Sequence, residues 1–175
     1  ESVIGQELPA LIKDGYTSFK IYLTYDALKL NDRQFLEVLA AARREGAMVM
    51  VHAENHDMIA WLSEKLLEFG HTAPKFHRVA HANIAEGEAT NRAIALSELV
   101  DQPILMVHVS AKEAIERIRA AKARGVKVYA ETCPQYLFLT EDDLDKDGFE
   151  GAKCMCSPPP RDKENQEYVW QGLAD

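Results

Sequence analysis

The chain has 175 residues, 47% of them hydrophobic and 27% charged, with a formal net charge of -8 at pH 7. That length can bury one sizeable core, so residues 1–175 are expected to form a single segment of one domain. The negative balance argues against a nucleic-acid or anionic-membrane partner, since either would want a basic face.

No stretch reaches the length of apolar run that spans a bilayer. Cys133 stands alone, and Cys154 and Cys156 flank a methionine. This fits reduced thiols in a cytoplasmic protein better than a disulfide framework or a zinc site. The chain opens on Glu1 inside a helix-like stretch and stops at Asp175 without an evident end. A piece of a longer protein is the expectation.

Ser2 to Lys13 carries a helical stripe of Ile4, Leu8, Leu11 and Ile12, stopped by Asp14-Gly15. Thr17 to Leu23, rich in aromatic and β-branched residues, predicts a strand with Lys20 in its middle. Asn31 is a good N-cap for a helix over Asp32 to Glu45, which Gly46 ends. Ala47 to Ala53 is a nearly unbroken apolar run, the signature of a strand buried on both faces. A helix from about Asp57 to Phe69 ends at Gly70, and His71 to Asn83 reads as irregular.

A helix from about Ala85 to Val100 precedes the strand Ile104 to Val109. Ser110 is the expected cap of a helix over Ala111 to Arg124, and Val126 to Glu131 forms another strand. Tyr136 to Leu139 is a short apolar segment, and the acidic run Glu141 to Asp147 reads as a solvated loop. Ala152 to Cys156 is the expected fifth strand. Ser157-Pro-Pro-Pro-Arg161 is rigid and extended, and Lys163 to Gly172 is a last helix.

Alternating helix and strand imply parallel βα units. An open doubly wound sheet and part of a (β/α)8 barrel both fit, although neither phosphate-binding glycine motif of the open sheet is present. A complete barrel needs about 250 residues, so five strands would be only part of one.

In either architecture reactive groups gather where strands end. His52 in Val-His-Ala-Glu-Asn and His108 in Met-Val-His-Val-Ser each close an apolar strand. Imidazole suits zinc or a similar ion, with Glu54 or Asn55 available to orient the His52 ring and Ser110 that of His108. Lys20 alone reads as an edge-strand lysine facing solvent. As an ammonium it cannot ligate a metal, but a neutral lysine that adds carbon dioxide becomes an anionic carbamate able to bridge two cations about 3.5–4 Å apart. His56, His71, His77 and His81 read as surface or loop residues. Arg161 has two open readings, a carboxylate partner elsewhere or the acidic loop.

Ser18-Phe-Lys-Ile-Tyr22 with Tyr25, Val51-His-Ala-Glu-Asn55, Val107-His-Val-Ser110, Glu131-Thr-Cys-Pro-Gln-Tyr-Leu137 and Cys156-Ser-Pro-Pro-Pro-Arg161 occur in this order along the whole chain. In this the chain resembles the cyclic amidohydrolases, and among them the D-hydantoinase/dihydropyrimidinase group. The resemblance implies an α/β fold, a partial (β/α)8 TIM barrel of the metal-dependent amidohydrolase type. It implies two divalent metal ions, zinc being expected, bridged by carboxylated Lys20, with His52 and His108 completing the second ion's ligands. Tyr25 would hydrogen-bond the oxyanion, and the backbone of Ser157 would hold the substrate's ring amide. The reaction would be opening of the cyclic amide bond of hydantoins or dihydropyrimidines, in a cytoplasmic homotetramer.

The pattern is incomplete. The family's His-x-His pair is absent, as are the last-strand aspartate and the asparagine after it; all would lie outside the ends of this chain. The isolated polypeptide is therefore expected to have little or no hydantoinase activity. Allantoinase and dihydroorotase are the alternatives within the class. Outside it stands a non-catalytic relative using the fold for assembly, as the collapsin-response proteins do, against which the presence of Lys20, His52 and His108 speaks.

Overall fold

Among the described residues, side chains cap the starts of three α-helices, at Asn31, Asn55 and Asp162. The computed structural model describes residues 3–175; Ser2, the expected start of the first helix, lies outside the described residues. A π-helical turn, Val3–Glu7, runs into α1, Leu8–Lys13. The strand β1, Ser18–Tyr22, is followed by α2, Asp32–Glu45, and β2, Met48–His52. Asn31 and Gln34 cap α2 reciprocally, and Gly46 ends it at φ 75°, a conformation that suits glycine. Then come α3, His56–Glu68, the short α4, Phe76–Ala80, and α5, Asn83–Val100. The chain continues through β3, Ile104–Met106, α6, Lys112–Ala123, and β4, Val128–Ala130. Beyond the sheet lie α7, Pro134–Phe138, two 3-10 turns, Glu141–Asp145 and Glu150–Cys154, and α8, Lys163–Gly172.

The four strands are parallel and lie side by side in chain order, β1-β2-β3-β4. A doubly wound sheet reverses its strand order at a switch point. None occurs here, which favours the arc of a barrel. Two neighbouring rows of the register show how the sheet is covered. Ile21, Val51 and Met106 sit side by side, and all are buried. One position earlier, Lys20, Met50, Leu105 and Tyr129 are half-buried or exposed, Tyr129 at 56%. Within this chain helices cover one face, and on the other face of β2 Met48 and Met50 are half-buried and His52 is buried. On the covered side Phe35 and Leu39 of α2 are fully buried, each worth about 1.5–3 kcal/mol of apolar burial.

The expected fifth strand is absent from the sheet. Residues 150–154 form a 3-10 turn that closes on its acidic neighbour. A Cβ added at Gly151 would fall 2.2 Å from the carbonyl oxygen of Leu144. The acidic run is likewise more than a solvated loop, because Leu144 anchors it at 1% exposure. The irregular stretch 71–83 contains α4, and the apolar segment after Cys133 is helical. Ser110 does not cap α6. Its N-cap residue is Ala111; the amides just ahead of the helix, of Ser110 and Ala111, donate to the distant Glu86, and the first helical amide, of Lys112, donates to Asn165 Oδ1. The three cysteines are free and half-buried. No helix of the described residues is long and apolar enough to cross a membrane.

Candidate active site

The parallel sheet delivers three chemically able groups to one place. Lys20, on the open face of β1, places Nζ 3.2 Å from Nε2 of His108. His52 is the last residue of β2, paired in register with Tyr22. Its ring lies 4.6 Å from that of His108, edge to face. His108 itself sits two residues beyond β3 with φ 47°. Backbone bonds on either side of it, Val107 to Val51 and Val109 to Glu131, continue the pairing and hold this unusual turn in place.

Tyr25 shares the feature. It lies in the turn after β1 with φ 70°, costly for a bulky side chain, and its ring is 5.2 Å from that of His52. The third non-glycine residue with positive φ among the described residues, Asp101, merely ends α5. Burial raises the pKa of the Tyr25 phenol, the side chain of Ser157 hydrogen-bonds it and opposes that shift, and the Glu54 charge adds to it. Tyr25 is thus a hydroxyl donor at neutral pH. Ser157 therefore closes the ring of candidate residues.

The strongest electrostatic feature is Glu54, which is fully buried. Burial alone would raise its pKa, but hydrogen bonds from His52 Nε2 and His81 Nδ1, both 2.8 Å, hold it well below the usual carboxylate range. With both ring nitrogens donating to this anion, His52 keeps Nδ1 as its lone-pair nitrogen. Burial also pushes His108 down, to about 4, helped by the nearby charges of His52 and Lys20. His108 is accordingly neutral at pH 7. With Nε2 accepting from Lys20, its Nδ1 is buried without a hydrogen-bond partner among the described residues.

Of the two candidates for orienting His52, the structure selects Glu54. Asn55 instead caps α3 and donates to Glu88. Ser110 does not orient His108, because its hydroxyl lies between Glu86 and Arg161. His81 is no surface residue, being 7% exposed against Glu54. His77 is half-buried, with Nε2 2.9 Å from the carbonyl oxygen of Cys156 and 3.2 Å from Ser157 Oγ. His56 pairs with Asp26, and His71 stacks on Phe76 at the exposed surface. Arg161 is buried; its guanidinium is bonded to Glu86, Ser110 and the His81 carbonyl, and the acidic run meets only its backbone, where the Glu141 amide donates to the Arg161 carbonyl. The H-x-x-x-H spacing of His77 and His81 was the available signal, since it puts both on one face of a helix. A five-residue helix is too short for periodicity to reveal it.

Among the described residues no group of three or more His, Cys, Asp or Glu side chains is arranged to hold an ion. The donor set is the two imidazole rings of His52 and His108 and the nitrogen of Lys20.

No protein-family model matches the chain. It is 46% identical over 170 residues to a D-hydantoinase from Geobacillus stearothermophilus, covering 96% of this chain and 36% of that protein. Over 174 residues it is 45% identical to one from Rhizobium radiobacter, covering 99% and 38%. The solved structure of dihydropyrimidinase from Brevibacillus agri superposes with a TM-score of 0.96 at 43% identity, over 99% of this chain and 38% of that one. Such neighbours are amidohydrolase TIM-barrel proteins, so the four-stranded sheet is a partial α/β barrel. The chain thus spans a little over a third of the length of the relatives it matches, and over that span it is alike, from end to end, to part of proteins named D-hydantoinase and dihydropyrimidinase.

Proposed function

We propose that this chain supplies half of the metal site and part of the substrate site of a hydrolase that opens the cyclic amide bond of hydantoins or dihydropyrimidines. The observation that carries the reading is the convergence of Lys20 on His108 at 3.2 Å, with the His52 ring 4.6 Å from the His108 ring. Relatives named D-hydantoinase, alike along the whole chain, support the substrate class.

His52, His108 and Lys20 would hold divalent ions, zinc by the imidazole donors, with Lys20 carrying the carbamate that an amine alone cannot replace. Such ions, when bound, polarise a carbonyl and acidify water enough for it to attack at neutral pH. The rest falls to the protein. Glu54 fixes the His52 tautomer so that Nδ1 would be the nitrogen left to ligate an ion. Tyr25 would donate a hydrogen bond from its hydroxyl to the carbonyl oxygen as negative charge builds there. The backbone of Ser157 holds the ring amide and so sets which bond is presented. A cytoplasmic homotetramer is the assembly proposed, on the family likeness alone.

The test is made in a full-length protein carrying this segment. Native mass spectrometry should find added carbon dioxide and bound zinc, and the protein should hydrolyse hydantoin or dihydrouracil. Lys20→Ala should lose the adduct and at least a thousandfold in kcat/KM, the order seen when an activating group is removed. Unchanged turnover in that variant would end the reading.

A further inference from the structure

The segment that carries Ser157 is tied to the rest of the molecule at several points, and one of them acts on the peptide group that matters. Tyr136 donates its hydroxyl to the carbonyl oxygen of Pro158, 2.6 Å away, and Arg161 anchors the end of the segment in a buried ion pair with Glu86. Those two fix where the segment lies. His77 acts differently, because its Nε2 is 2.9 Å from the carbonyl oxygen of Cys156. That carbonyl and the Ser157 N–H belong to one planar trans peptide unit, in which N–H and C=O point in opposite directions. Holding the oxygen therefore aims the amide hydrogen of Ser157 the other way.

From this geometry we infer that His77 is a positioning residue that orients the Ser157 backbone amide for the substrate ring. The inference rests on the function proposed above. His77 is itself braced. Its ring lies 4.3 Å from that of His81, whose Nδ1 donates to Glu54, which in turn accepts from His52. Burial, with the charge of His81 next, holds the His77 pKa below its ordinary value. A neutral ring with hydrogen on Nε2 is the form that donates to Cys156. The two ends of the site, the imidazole of His52 and the amide of Ser157, are thereby joined through α4.

In the full-length protein, His77→Leu should raise KM for dihydrouracil about tenfold, the size of one lost orienting hydrogen bond. It should leave kcat within about threefold and bound metal unchanged. His77→Gln, whose amide N–H reaches the same carbonyl, should recover most of the loss. Hydrogen exchange over residues 155–157 should quicken in the leucine variant and not in the glutamine variant. Unchanged KM together with unchanged exchange would overturn the inference. So would a joint fall of kcat, metal content and thermal stability in both variants, which marks a merely structural histidine. A parent protein that hydrolyses no cyclic amide would sink the functional reading instead, and the exchange comparison would still decide whether His77 holds this peptide.

Discussion

Two carboxylates are buried near the strand ends, Glu54 at 0% and Glu86 at 3% exposure, and they are satisfied in different ways. Glu86 accepts from four donors: the amides of Ser110 and Ala111, the Ser110 hydroxyl and the guanidinium of Arg161. None of these can surrender its hydrogen near neutral pH, so Glu86 is a permanent clamp. Glu54 accepts from two imidazoles, which can hold their hydrogens on either nitrogen. The first carboxylate fixes chain segments. The second sets which nitrogen of His52 is left for a ligand. Burial alone would not separate these roles; the donors do.

The largest effect should come from breaking the clamp. Glu86→Ala leaves the Arg161 guanidinium buried without its partner, a change that costs about 3–5 kcal/mol. In the full-length protein this should appear as a large drop in soluble yield and in the denaturant midpoint. Removing both charges together, Glu86→Leu with Arg161→Met, should return much of that stability, because the penalty lies in the orphaned charge. If the double variant is no better than the single one, the pair is doing something other than mutual neutralisation.

Glu54 beside His52 was legible, but the partners that reach these carboxylates from far along the chain, Arg161 for Glu86 and His81 for Glu54, were not, for the same reason. Glu86 and Arg161 are 75 positions apart and Glu54 and His81 are 27 apart. Nothing in local periodicity brings such pairs together. Lys20, His52 and His108 were legible because parallel strands share one direction, so residues near like ends of three strands must come close. The strand that failed, Ala152 to Cys156, was short and flanked by glycine and proline. Its alternation was weaker evidence than the packing of Gly151 against Leu144. Ser110 had the right chemistry for a cap, but its hydroxyl donates to Glu86, and the first amide of the helix is met by Asn165 instead.

Altering the second carboxylate should leave the fold nearly intact and strike at ligation. In Glu54→Gln one amide oxygen can still accept, but the amide nitrogen only donates. One of the two histidines must then turn or change tautomer. Removing an orienting partner of this kind typically weakens metal affinity 10–100-fold. Competition with a chelator in the full-length protein would measure it, and zinc held as tightly by the variant as by the parent would erase the contrast with Glu86.

The smallest effect contrasts a local cap with a distant one. The N-terminus of α3 is capped by its own neighbour, Asn55, whose side-chain oxygen accepts from the Met58 amide at 3.0 Å. The first amide of α6, of Lys112, donates instead across the fold to the side-chain oxygen of Asn165, 2.7 Å away. Asn55→Ala should therefore cost only about 1 kcal/mol, read as a small shift in denaturant midpoint. Asn55→Asp keeps the acceptor but replaces the NH2 that donates to Glu88, 2.6 Å away, with a second carboxylate. It should recover less than a cap alone would give. Full recovery by aspartate would mean that the bond to Glu88 contributes nothing, and that the helix end is the whole of what Asn55 does.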